Sequence, residues 1–206
     1  MQIVILVALM LTAASATAIQ AAPSLDVSVV VRTYNYAALP AEPLTDAKTE
    51  AQNIFRRAGI LVVWVDCRVR SAAHGAACTD PLSAGRELML RLVDRAPAEG
   101  ERIVTLGESM LDRERQGGVL MTVDLFRVRG IAERTSTSTS ILLGRAFAHE
   151  IGHLLLGSAE HPRLGLMRAL WSHDELRGLK PAHWGFSSRE AARMRQGLRG
   201  RSRTAG

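Results

Sequence analysis

The chain has 206 residues, of which 47% are hydrophobic, 22% charged and 4% aromatic. This composition excludes a disordered tail protein, a collagen and a multi-span membrane protein. The net charge of +6 comes from 26 Lys+Arg against 20 Asp+Glu, none of them within residues 1–22.

That uncharged opening is read as a signal peptide. Residues 3–11 form an apolar run of h-region length, and small residues follow, with cleavage expected after Ala18 or near Ala22. An uncleaved anchor is the alternative, since roughly 20 apolar residues span a bilayer; Thr12, Ser15, Thr17 and Gln20 dilute such a span. The expectation is a secreted or periplasmic protein that meets a membrane only through this segment if it is retained. Residues 23–206 then make a single domain, about 184 residues and long enough for a real core, and a monomer is expected.

Residues 25–36 carry Val27, Val29, Val30, Val31 and Thr33 and predict a strand. A helix is expected from Pro43 to about Ala58, with Ala47, Ala51, Ile54, Phe55 and Ala58 on one face and Gly59 ending it. Residues 60–65 read as a buried strand leading to Cys67. Cys67 and Cys78 flank a small-residue stretch, and in an oxidising compartment they are expected to form a disulfide worth about 2–3 kcal/mol. A metal site from Cys67, His74 and Cys78 is the weaker alternative, because no second ligand pair stands nearby.

Residues 86–93 alternate and predict a third strand, residues 103–106 a short one, and residues 119–128 another after the Gly117-Gly118 turn. The Thr/Ser run 135–140 reads as a solvated loop. Residues 141–156 are apolar on most sides and predict a buried helix. A last helix over 188–198 is announced by Ser187 and Glu190, a capping box. The order of elements gives an α+β domain, a mixed twisted sheet with a backing helix, a buried helix and a C-terminal helix.

Arginine supplies nearly all the positive charge, Lys48 and Lys180 being the only lysines, and Arg189, Arg193, Arg195, Arg199, Arg201 and Arg203 crowd the C-terminus. With few aromatics for stacking and no recognised binding motif, no nucleic acid is expected; a solvated basic tail is the default.

The buried helix contains His149-Glu150-Ile151-Gly152-His153. Histidines at i and i+4 share a helix face about 6 Å apart, and two imidazoles so placed bind one zinc at ~2.0–2.1 Å each. Glu150, beside the first, is placed to act as general base on water acidified by the metal. On a helix this apolar, two imidazoles and a carboxylate cost several kcal/mol unless each is paired or bound to metal.

Beyond the helix come Gly157, His161 and Gly165-Leu166-Met167. With these the chain resembles the metzincin clan of zinc endopeptidases, whose pattern is two helical histidines, a glycine turn, a third histidine and a methionine turn. The spacing here, H-E-x-x-H-x-x-x-G-x-x-x-H, has one extra residue on each side of the glycine. The resemblance implies a metzincin-like (zincin) domain with one catalytic Zn2+, ligands His149, His153 and His161, general base Glu150, turn glycine Gly157 and Met-turn residue Met167. It implies hydrolysis of a peptide or protein substrate.

Other readings of these residues stand beside it. In a gluzincin-type site Glu175 would be the third ligand, with Glu160, His173 and His183 as further candidates. Asp174 or Glu175 would hold a ligand's second nitrogen, and Trp171 would wall the pocket or fill the core. The same zinc ligands would also suit a non-catalytic zinc-stabilised envelope or polyanion-binding domain.

Overall fold

The computed structural model describes residues 27–67, 76–83, 86–97, 105–112, 117–177 and 184–203. The expected signal peptide, His74 and His183 lie outside these residues, as do the side chains of Arg201 and Arg203.

Strands β1 (Val27–Asn35), β2 (Ile60–Cys67), β3 (Glu87–Val93), β4 (Gly107–Asp112) and β5 (Gly117–Asp124) form one sheet in the order β2-β1-β3-β5-β4. All neighbours are parallel except the edge strand β4, which runs antiparallel to β5. Leu88, Leu90 and Leu92 are fully buried while the residues between them are half-exposed, the alternation expected where helices cover one face of a sheet. On β1 the alternation is blurred by Arg32, which is buried by its pair with Glu87 and its bond to the Asp80 carbonyl (2.6 Å).

Helix α1 (Ala41–Arg57) connects β1 to β2 and buries Leu44, Ala47, Ala51, Ile54 and Phe55. It ends at Ala58, with Gly59 at φ +74°, as its sequence predicts. Lys48 is also buried, paired with Asp66 and lying over the Trp64 ring. Cys67 is disulfide-bonded to Cys78 of the short helix α2 (Ala76–Thr79), with Cα atoms 5.6 Å apart. The pairing removes the alternative in which both thiolates bind metal.

The segment 119–128 divides. The strand stops at Asp124, whose carboxylate accepts from the Phe126 N–H (3.1 Å) and caps helix α3 (Leu125–Thr135). Leu125, Val128 and Ala132 then follow the helical period into the core; within the apolar run 119–128, Leu125 and Val128 read as strand by sequence alone. Of the short strand expected over 103–106, residues 103–104 lie outside the described residues and 105–106 are not a strand; the edge strand begins at Gly107. The Thr/Ser run is a helix junction and not a solvated loop. Thr135 ends α3, Ser136 takes φ +53°, Ser138 caps helix α4 (Thr139–Leu156), and the Thr137 hydroxyl donates to the Leu176 carbonyl (2.8 Å).

Helix α4 packs on α1 and on strands β4 and β5, so α1 and α4 lie on the same face of the sheet. A Cβ on Gly144 would stand 2.4 Å from the Ala47 carbonyl oxygen and 2.7 Å from Glu50 Cβ, so the two backbones meet where no side chain fits. Gly144→Ala is expected to lower stability by about 1–3 kcal/mol through overpacking, despite alanine's helix propensity advantage of roughly 1 kcal/mol. A lower urea midpoint at unchanged slope is the measurement that shows it.

Helix α5 (His173–Arg177) is short, and α6 (Ser188–Arg203) carries the expected capping box: Ser187 Oγ accepts from Glu190 N–H, while the Glu190 carboxylate accepts from Ser187 N–H (2.7 Å). Two of its arginines serve other helices. Arg193 donates to Leu156 O at the end of α4, and Arg195 to Ala58 O at the end of α1, satisfying carbonyls that helix ends leave open. Among the described residues no helix is long and apolar enough to cross a membrane.

Candidate active site

The period of α4 puts His149 and His153 one turn apart on one face, and both are buried. Past Leu156, Gly157 takes φ +62° and its N–H bonds His153 O (2.9 Å). This left-handed cap turns the chain back, so that the Ser158 carbonyl reaches His153 Nδ1 (2.7 Å) and exposed His161 arrives over the helix. His153 Nε2 then lies 3.0 Å from His149 Nε2 and 3.1 Å from His161 Nε2.

The donor set fits a metal. His149 Nδ1 faces the Leu166 carbonyl (3.0 Å) as His153 Nδ1 faces that of Ser158. A carbonyl only accepts, so in both neutral rings the proton sits on Nδ1 and the Nε2 lone pairs face each other. Such an arrangement repels itself unless a cation lies between. Two nitrogens on one tetrahedral zinc stand roughly 3.3 Å apart, close to the spacing found. Burial pushes the His149 imidazole down to about 4, opposed by the Leu166 carbonyl and aided by His153 and His161. Burial lowers His153 too, against its bond to Ser158. Both rings are therefore in the neutral, metal-binding form at neutral pH.

Glu150 is buried beside the cluster but is not part of it. Its Oε2 accepts from Ser109 Oγ (2.6 Å) on β4, and a Cβ on Gly107 would come within 3.1 Å of Oε1. Edge strand β4 thus cradles the carboxylate with one hydroxyl and one missing side chain. Burial raises Glu150 to about 7, the Ser109 bond opposing and Glu108 adding to the rise. A carboxyl group poised near neutrality is suited to taking up and returning a proton.

Met167 is fully buried against helix α4, and its Sδ would lie 2.6 Å from a Cβ on Gly152, so the glycine inside the motif admits the methionine turn. Gly165 turns this loop at φ +83°. Glu175 is not brought to the cluster. Its carboxylate pairs with Arg168 and accepts from Ser172 N (2.9 Å) and Oγ (2.8 Å), and these bonds pull it down to about 2. Glu160 is exposed near Ser158, and His173 faces the Arg134 carbonyl. Among the described residues the metal-type cluster is His149, His153 and His161. The expectation that Asp174 or Glu175 braces a ligand gives way to the two backbone carbonyls.

A cavity of about 490 Å³ opens over the site, bounded by the histidines, Glu150 and apolar walls including Leu106, Ile131, Leu170, Trp171 and Leu176. Its size is that of a small-ligand or side-chain pocket. Ser109 and Gly107 were not foreseen. They lie on a strand whose half-exposed, partly polar sequence carries no strong period.

No family model and no curated protein matches the chain. Solved structures do. A zinc-dependent peptidase from Methanocorpusculum labreanum matches with TM-score 0.52 and 13% identity, over 80% of this chain and 99% of that one. An archaemetzincin from Methanopyrus kandleri gives 0.51 and 14%, over 84% and 96%. Metalloproteinase-II from Bacteroides fragilis gives 0.51 and 14%, over 85% of this chain and 54% of that longer one. At these identities the likeness is one of fold. The chain has a metzincin-like zinc-peptidase fold, an α+β domain with a three-histidine cluster on and just beyond helix α4.

Proposed function

We propose that the protein is a zinc-dependent endopeptidase. The observation that carries this reading is the convergence of three imidazole Nε2 atoms beside a buried carboxylate that is not one of them. His149, His153 and His161 would hold the ion. Zinc bound there supplies Lewis-acid chemistry, acidifying water and polarising a carbonyl. The substrate's side chain enters the largely apolar cavity beside the histidines and Glu150. Glu150 takes the proton of the attacking water at a carboxylate oxygen and passes it to the leaving nitrogen. Ser109 keeps that carboxylate aimed. Glu150, outside the ligand cluster, favours catalysis over a closed structural site.

Export through residues 1–22, a monomeric state and a peptide or protein partner belong to the same proposal. The Cys67–Cys78 disulfide supports an oxidising compartment. The capping work of Arg193 and Arg195 gives part of the basic C-terminus a role that needs no nucleic acid.

The test is metal analysis of purified protein beside cleavage of a peptide library followed by mass spectrometry. About one zinc per chain and cleavage abolished by a chelator and restored by zinc are expected. Undiminished cleavage after chelation would overturn the reading. Ser109→Ala is expected to lower kcat about 10–100-fold with KM and zinc content unchanged, the loss of a hydrogen bond to a charged group; kinetics with one cleaved peptide measures it.

A further inference from the structure

The carbonyl that orients His153 comes from Ser158, directly after the helix that carries His153. His149 is held differently. Its Nδ1 partner, Leu166 O, lies 17 residues on, in a loop outside regular structure. The direction of the His149 ring therefore depends on what fixes that loop.

Trp171 does so from two sides. Its indole Nε1–H donates to the same Leu166 oxygen (3.2 Å), filling the carbonyl's second lone pair. Its ring also stands edge-on to the His149 imidazole, with centroids 5.7 Å apart at 84°. The other end of the Leu166 peptide is tied as well, its N–H donating to Gly185 O (3.0 Å). Behind Trp171 lies buried Trp184, ring against ring at 5.1 Å and 81°. The guanidinium of buried Arg145 covers Trp184 at 3.8 Å. Arg145 stands one turn before His149 on α4, so the contacts close a ring: α4, Arg145, Trp184, Trp171, His149 and α4 again. Edge-on aromatic pairs and cation–π contacts each favour one geometry, and the closed circuit leaves the His149 ring one orientation.

We propose that Trp171 is a positioning residue for the metal site: by sharing the Leu166 carbonyl with His149 and abutting its ring, it aims Nε2 at the point where the three imidazoles converge. The inference rests on the proposed role of His149 as a ligand. Outer partners of this kind are typically worth 10–100-fold in metal affinity. Trp171 also borders the cavity, but a residue that only walled the pocket would change KM and leave zinc affinity alone.

The experiment measures zinc affinity by competition with a chromophoric chelator for the full chain, Trp171→Phe, Trp171→Leu and His149→Ala, beside the urea midpoint of each metal-free protein. Trp171→Phe keeps an aromatic ring and loses the donor; Trp171→Leu loses both. Affinity is expected to fall about 10-fold for the first and nearer 100-fold for the second, without a matching fall in the metal-free midpoint. Wild-type affinity in both variants, or a loss that only tracks a lowered midpoint, overturns the role of Trp171. Equal affinity in His149→Ala and wild type overturns instead the ligand assignment beneath it.

Discussion

Glu150→Gln is expected to leave zinc binding intact and to reduce peptide cleavage by about 10²–10⁴-fold, the usual worth of a positioned general base. The substitution preserves shape. A glutamine carbonyl oxygen still accepts from Ser109 Oγ, which now sits 2.6 Å from Oε2, and the amide occupies the space that Gly107 leaves open. What disappears is basicity at a group that burial holds near 7. Zinc content stays constant because the carboxylate is outside the three-imidazole cluster. Two readings are separated by the outcome. A variant that keeps its zinc and loses turnover places the proton transfer on residue 150. A variant that cleaves as fast as wild type removes it, and with it the catalytic reading of the helix.

The sequence carried the parts of this site that a single helix organises. Helical periodicity alone puts His149 and His153 on one face, and Gly157 announces both the helix end and the turn that follows. The apolar flanks of α4 likewise declare its burial. The fold became harder to read where apolar character did not reveal its period. Val119 to Val128 looks like one strand, yet a capping aspartate splits it into strand and helix. The Thr/Ser run looks solvated, yet its hydroxyls cap and bridge two helices. The partners of the site were least legible. His149 and His153 are braced by the carbonyls of Leu166 and Ser158, and any residue type offers a carbonyl. A search for acidic side chains points to Asp174 and Glu175, which the fold uses elsewhere or leaves exposed. Ser109 escaped notice because tertiary pairing, more than its own sequence, makes β4 a strand.

His153→Ala is expected to abolish stoichiometric zinc binding, and His161→Ala to weaken it while leaving a residual two-histidine site. The asymmetry follows from position. His153 Nε2 is the shared neighbour, 3.0 Å from His149 and 3.1 Å from His161, so its removal takes the middle from the cluster. His161 comes from an exposed loop, and its loss leaves the i, i+4 pair on α4 whole. A direct ligand should count for more than the 10–100-fold of an outer partner, so each change exceeds about 10²-fold in affinity. Thermal unfolding with and without zinc provides the measurement. Zinc at about 100 times its dissociation constant stabilises a native state by about 2.7 kcal/mol, a clear rise in Tm for wild type and none for His153→Ala at the same zinc concentration. The metal-free His153→Ala protein should still fold, since truncation removes one of two Nε2 lone pairs that face each other without a proton between them. If zinc raises Tm equally in His161→Ala and wild type, the third ligand is not residue 161, and the extra residues flanking Gly157 have carried this loop away from the metal.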